Sequence, residues 1–219
     1  MPSISTVILP SKEKGYRSVK LAPFISVIIL AAGESKRMGK LKQLLPLGQN
    51  TILEQTIDNF LNSKINEVIV VVGYIAEEVI KLIAARQVKV ALNPDYCLGM
   101  STSLLAGLKV INNEAQGIML ALADQPFIAS QTIDYLIEAF AHHEKIIVPS
   151  HQGRRGHPVI FPRKYKKELA SLKGDVGGRE VLARYPEDVL EVAVDCDSII
   201  EDIDTMDIYI RKTGRINPK

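Results

Sequence analysis

Seven short runs rich in valine and isoleucine alternate with helix-like stretches along this 219-residue chain, and that alternation constrains the fold more than any other feature. The runs are Ser26–Leu30, Glu67–Val72, Val88–Leu92, Ile118–Leu122, Ile146–Val148, Val159–Phe161 and Val189–Val194. Between them, apolar residues recur at i, i+3 and i+4 over Ile52–Leu61, Ala76–Ala85, Ser101–Val110, Gln131–His142 and Arg179–Tyr185, the period of an amphipathic helix. The first runs are apolar on both faces, as parallel strands covered by helices above and below must be. Strand, helix, strand, helix with right-handed crossovers predicts an α/β fold: one doubly wound, mostly parallel sheet of Rossmann-like type in a single domain. The predicted domain is 25–212, with an N-terminal extension over 1–24 that is flexible or loosely docked and a C-terminal tail over 213–219.

In such a sheet ligands bind beyond the carboxyl ends of the strands. The first strand ends in LAAGESKRMGKLK, which packs Lys36, Arg37, Lys40 and Lys42 around Gly33 and Gly39. A loop that only had to turn would not collect mutually repelling cations, so an anionic ligand is implied. The two glycines let backbone N–H groups approach an anion, and Arg37 and Lys42 add charge, which suits a triphosphate. The spacing is not that of a P-loop, because five residues separate the glycines and Leu41 follows Lys40; GxGxxG is absent too. The net charge of +2 is too small to imply a nucleic-acid or membrane partner, so the basic loop is a local feature.

Asp124, in ALADQP, follows a buried strand at the same edge as the loop, where it can hold Mg²⁺ against a triphosphate. Ser130 is the expected cap of the helix after it. EDIDTMD offers Asp202, Asp204 and Asp207 for a second carboxylate, with Asp204 or Thr205 also able to cap a last helix. GMSTSLLAGL reads as a glycine turn into a helix with a hydroxylic first turn, in which Ser101 either caps the helix or meets a ligand. GRRGHPVIF sets Arg154, Arg155 and His157 around Gly156 before a strand, a group able to hold a phosphate-bearing acceptor. His157 reads as a binding residue, since a phosphate monoester nucleophile is already anionic near neutral pH.

These blocks, with GYIAEEV, NPDYCLGMSTSLLAGL, GDVGGR and EDIDTMD, resemble the MobA-like nucleotidyltransferases of molybdenum cofactor biosynthesis, whose signature is LAAGxSxRMGxxK followed by a Leu-Pro pair. The later blocks look most like the cytidylyltransferase branch. The resemblance implies CMP transfer from CTP to the phosphate of a molybdopterin-type cofactor, with release of pyrophosphate and Mg²⁺ as cofactor. It implies Arg37, Lys42 and Asp124 as catalytic residues and Asp124 with Asp204 as metal ligands, Asp202 being the reserve. It assigns Leu30, Ala31, Ala32, Gly33, Ser35, Gly39, Gly73, Asn93, Gly99, Ser101 and Ser103 to the nucleotide, and Arg155, Gly156, His157, Asp175 and Arg179 to the acceptor. Asp175 and Arg179 rest on the resemblance alone. Alternatives in the same fold are a guanylyltransferase and a sugar-phosphate nucleotidyltransferase; a third is a non-catalytic partner that delivers cofactor to a molybdenum hydroxylase, itself also a possible receiver of the enzyme's product.

Cys97 and Cys196 lie far apart without CxxC or histidine partners, so neither a disulfide framework nor a zinc site is suggested and a cytoplasmic setting is expected. The basic residues before LAPFISVIILAAG imitate a secretory leader, but removing that segment would delete the first strand and its loop, so it reads as internal. No run reaches the ~20 apolar residues of a membrane span.

Overall fold

The computed structural model describes residues 6–7, 22–35, 38 and 41–214. Its strands are β1 (Thr6–Val7), β2 (Ile25–Leu30), β3 (Pro46–Leu47), β4 (Asn50–Thr51), β5 (Glu67–Val72), β6 (Lys89–Leu92), β7 (Gly117–Leu122), β8 (Ile146–His151), β9 (Arg154–Arg155), β10 (Val159–Pro162) and β11 (Val189–Ala193). Its α-helices are α1 (Ile52–Leu61), α2 (Ala76–Ile83), α3 (Met100–Val110), α4 (Ser130–His143), α5 (Lys166–Ala170), α6 (Arg179–Arg184) and α7 (Met206–Thr213). The main sheet runs β1-β11-β8-β10-β7-β2-β5-β6, with β9 beside β8. All pairs on that path are parallel except those made by β10, which runs antiparallel to both β7 and β8.

Alternation along the central strands builds two cores. Val27 and Ile29 of β2 pack with Val68, Val70 and Val72 of β5 under α1, α2 and α4. Ile28 of β2 packs with Ile69 and Val71 against α3 on the other side. All of these are essentially inaccessible, which is why the runs carry no polar face. Local capping fixes the helices: the Thr51 hydroxyl accepts from the Glu54 N–H and the Glu54 carboxylate accepts from the Thr51 N–H, closing a capping box that starts α1.

The sheet order places the site. From β2 the chain moves outward through β5 to β6, then returns to the opposite side of β2 at β7. The carboxyl ends of β2 and β7 therefore diverge, and the crevice between the segments leaving them is where a ligand fits. Because β10 is antiparallel, its amino end lies at that same edge, which brings His157 there.

Several expectations can be set beside particular elements. Thr6 and Val7, inside the N-terminal extension, pair with Glu191 and Val192 of β11. The helix α7 ends one residue past the expected boundary at 212. Ser130 is the first residue inside α4 and Ala129 its N-cap, with no side-chain cap, so Ser130 does not cap that helix. Ser101 likewise lies one residue inside α3, whose N-cap is Gly99, again with no side-chain cap. Thr205 does cap α7, its hydroxyl accepting from the Ile208 N–H.

Candidate active site

A cleft of about 710 Å³ opens at the carboxyl ends of β2 and β7. Its floor joins three distant stretches: Lys42 after β2, Asp124 after β7, and Asp202 and Asp204 before α7. The Lys42 ammonium donates to Asp124 Oδ2 and, at 2.7 Å, to Asp204 Oδ1. Burial alone would favour the neutral amine. The charges and hydrogen bonds of Asp124 and then Asp204 outweigh it, and the Lys42 pKa is raised. Lys42 is a fixed cation between two carboxylates.

Two glutamines that sequence reasoning passed over hold this floor in place. Gln43 is 2% exposed; its Nε2 donates to the carbonyls of Ala31 (3.3 Å) and Gly33 (3.0 Å), and its Oε1 accepts from the Ser35 hydroxyl at 3.0 Å. Ser35 Oγ in turn accepts from the Lys42 N–H. Residues 42–43 are thus held against 31–35, with Lys42 lining the cleft. Gln125, also 2% exposed, donates through Nε2 to the Ile199 carbonyl and, at 2.7 Å, to Asp202 Oδ1. The Ile203 N–H donates to the Asp124 carbonyl. These bonds stitch 199–204 onto the end of β7 and so bring Asp204 to Lys42. The available signal was position: each glutamine directly follows a charged site residue where a merely solvated side chain had no need to be buried.

Asp202 is the reserve acid and is differently placed. Its carboxylate is taken by Gln125, and its pKa is raised, first by burial and then by the charge of Asp124, against the opposing hydrogen bond from Gln125. Asp204 is the acid that shares a cation with Asp124. Among the described residues no group of three or more His, Cys, Asp or Glu forms a metal cage. Two carboxylates that already converge on one cation fit a hard divalent ion of the Mg²⁺ type, which takes one or two carboxylates and completes its shell with phosphate oxygens and water.

Of the residues assigned to the nucleotide, Leu30, Ala32, Gly33, Ser35, Gly99 and Ser103 line the cleft. Ala31 is buried beneath it, its carbonyl held by Gln43. Gly73, Asn93 and Ser101 do not line it. A Cβ on Gly73 would meet Tyr96 at 2.7 Å, and the Asn93 amide donates to the hydroxyls of Thr102 and Ser103 at 2.9 Å, so both act in packing around the start of α3. Gly99, at φ +111°, has its Cα against the Gly174–Asp175 backbone; a Cβ there would sit 2.4 Å from the Gly174 carbonyl carbon. Arg37 and Gly39 lie outside the described residues.

The acceptor group is dispersed. Arg155 is on the β8–β9 hairpin, exposed, with its guanidinium on Glu191 at 2.7 Å, and does not line the cleft. Gly156 packs against the Ile199 carbonyl, where a Cβ would approach to 2.2 Å. His157 is close enough to feel both Arg179 and Asp124: burial first, then the Arg179 charge, lower its pKa to about 4 despite Asp124. Asp175 lines the cleft beside the α3 N-terminus, where it accepts from the Met100 N–H at 3.4 Å, and Arg179 opens α6 and is exposed.

Comparison with known proteins agrees with this geometry. The family model described as MobA-like NTP transferase domain matches residues 27–189. The chain is 32% identical to molybdenum cofactor cytidylyltransferase of Escherichia coli (strain K12), over 87% of this chain and 96% of that one. It is 31% identical to nicotine blue oxidoreductase of Paenarthrobacter nicotinovorans, over 86% and 96%. The crystal structure of Rv0371c from Mycobacterium tuberculosis H37Rv superimposes with a TM-score of 0.79 at 32% identity, covering 90% of this chain and 100% of that one. The same protein was also solved in complex with manganese, with a TM-score of 0.75 and 31% identity over 89% and 100%.

Proposed function

From a chain that belongs to the MobA-like NTP transferase family and is thereby a nucleotidyltransferase, we propose an enzyme that transfers CMP from CTP to the phosphate of a molybdopterin-type cofactor and releases pyrophosphate. The observation that carries the reading is Lys42 held between Asp124 and Asp204 on the cleft floor. Support for the base and acceptor comes from the cytidylyltransferase relative and from the blocks ALADQP, GRRGHPVIF and GDVGGR.

A divalent ion, Mg²⁺ in this reading, would be held by Asp124 and Asp204 and would supply charge that offsets the triphosphate oxygens. Gly33 and Ser35 flank the path of the phosphates, and Lys42, with Arg37 from the same loop, stabilises the pyrophosphate as its charge grows. The acceptor phosphate needs no general base, being anionic already. His157, kept neutral by its surroundings, serves as a hydrogen-bonding contact to the acceptor, with Arg179 and Asp175 at the far rim. Arg155, paired with Glu191, and Gly156, packed on the Ile199 carbonyl, lie outside the cleft and support the chain leading to His157. The product would pass to a molybdenum hydroxylase.

The test is pyrophosphate release with CTP, GTP, ATP or UTP in turn, with Mg²⁺ and molybdenum-loaded molybdopterin. CTP should be strongly preferred; preference for GTP would replace the cytidylyl reading with the guanylyl one, and turnover only with a hexose 1-phosphate would move the acceptor. A second reading, favoured by the relative named nicotine blue oxidoreductase, is a reductase acting in this cleft. Reduction of a dye substrate by an added hydride donor, without pyrophosphate release, would establish it.

A further inference from the structure

We propose that Lys42 and the divalent ion compete for the same two carboxylates, so that the ion enters with a triphosphate that draws Lys42 away. The inference rests on the reading of Asp124 and Asp204 as metal ligands. Lys42 Nζ is in hydrogen-bond contact with Asp124 Oδ2 and 2.7 Å from Asp204 Oδ1. An ion ligated by those same two oxygens, at ~2.1 Å from each, would occupy the gap that the ammonium fills. An ammonium and a divalent cation cannot share it, because their repulsion at such a separation is large.

The three side chains differ in length and reach. Asp124 is anchored by the end of β7 and by the Ile203 N–H on its carbonyl, and Asp204 by the cap of α7 beside it. Lys42 is held at its backbone by Ser35, but its four-carbon stem ends in a point charge that can turn to another anion. Charge balance supplies the anion. The Lys42 ammonium sits on Asp124 and Asp204, and Asp202 lines the same cleft. A bare triphosphate that drew Lys42 away would leave Asp124 and Asp204 without their cation, whereas a metal–triphosphate complex brings a cation for those two acids and oxygens for Lys42. The lysine thus stands in for the metal until the nucleotide exchanges them.

The experiment is Mn²⁺ binding, by titration calorimetry and by electron paramagnetic resonance of free Mn²⁺, to the full chain without nucleotide and with a CTP analogue whose α–β linkage cannot be cleaved. Lys42→Met and Lys42→Gln remove the charge by two routes, and Lys42→Arg keeps it. Without nucleotide, both neutral variants should bind Mn²⁺ about tenfold or more tighter than the wild type, while Lys42→Arg stays weak. The analogue, whose phosphate oxygens ligate the ion in every variant, should tighten Mn²⁺ binding by a clearly larger factor in the wild type than in the neutral variants. Neutral variants that melt cooperatively yet bind Mn²⁺ no tighter than wild type would overturn the competition and leave the metal reading standing. Absence of Mn²⁺ binding by the wild type and both neutral variants, with and without the analogue, would overturn the metal reading itself. If neither neutral variant folds, wild-type Mn²⁺ binding that is equally tight with and without the analogue overturns the competition.

Discussion

Twice among the described residues one basic side chain bridges two carboxylates. Arg86 binds Glu54 at 2.8 Å and Asp58 at 2.7 and 2.9 Å; Lys42 binds Asp124 and Asp204. The compositions match, and the consequences do not. Glu54 and Asp58 are four residues apart on α1, so their carboxylates share one helix face, and the planar Arg fork locks the segment after α2 onto it through three directed bonds. The pKa of Arg86 is raised, mainly by the hydrogen bond to Asp58. That pair is a fastening within one layer of the fold. The acids around Lys42 come from segments 80 residues apart in sequence, converge only because the sheet order brings them together, and face a cleft. A point charge there can be exchanged for another cation. The difference lies in where the carboxylates originate and in the shape of the cation, and neither is visible in a count of ion pairs.

The contrast predicts opposite responses to the loss of one member. Asp124→Asn should lower kcat/KM for pyrophosphate release by about two orders of magnitude or more, the scale of removing one preorganised charge contact to a transition state. Retention of near-normal activity would reduce the Lys42 cluster to a fastening like the other. Arg86→Met should do the reverse, lowering unfolding stability by roughly 2 kcal/mol in urea titration with kcat/KM unchanged within about twofold. A drop in activity without a drop in stability there would erase the distinction.

A third group refines it, because His157 is a potential cation near Asp124, outside the cleft lining, that burial and the Arg179 charge keep neutral. Its folded-state pKa of about 4 lies below the ordinary 6.5, so below pH 6.5 the unfolded chain takes up a proton that the folded chain does not. The contribution of His157 to stability is therefore intact above pH 6.5 and is lost progressively as pH falls toward 4. Denaturation profiles should show this slope, and His157→Gln should flatten it. The smallest effect expected is an upward move of the His157 pKa in Arg179→Ala, read from the imidazole NMR shift against pH, because one of its two depressing causes is removed.

Much of the scaffold was legible beforehand. The strand over Glu67–Val72 and the helix over Ile52–Leu61 coincide with the periodic runs, because burial on both faces and a capping box leave local pattern and tertiary demand in agreement. The antiparallel direction of β10 was not legible, since a run such as Val159–Phe161 is apolar whichever way it points. Ser130 misled because a hydroxyl before an apolar run is a cap only if the backbone turns helical after it, and here it turns one residue earlier. For the site, Lys42, Asp124 and Asp204 were readable from loop and edge positions together with family resemblance. The roles of Gln43 and Gln125 depend on carbonyls and carboxylates distant in sequence, which no local pattern encodes. Arg155 looked like a ligand-binding cation, and only the pairing of β11 with β8 reveals Glu191 beside it.

The near contact between Gly99 and the Gly174 backbone has a practical corollary for anyone grafting substrate preference between relatives. The turn leading into α3 and the GDVGG turn are molded to each other, so exchanging one alone would create a misfit that mimics a change of preference while reporting only a collision. The two turns should be swapped as a matched pair.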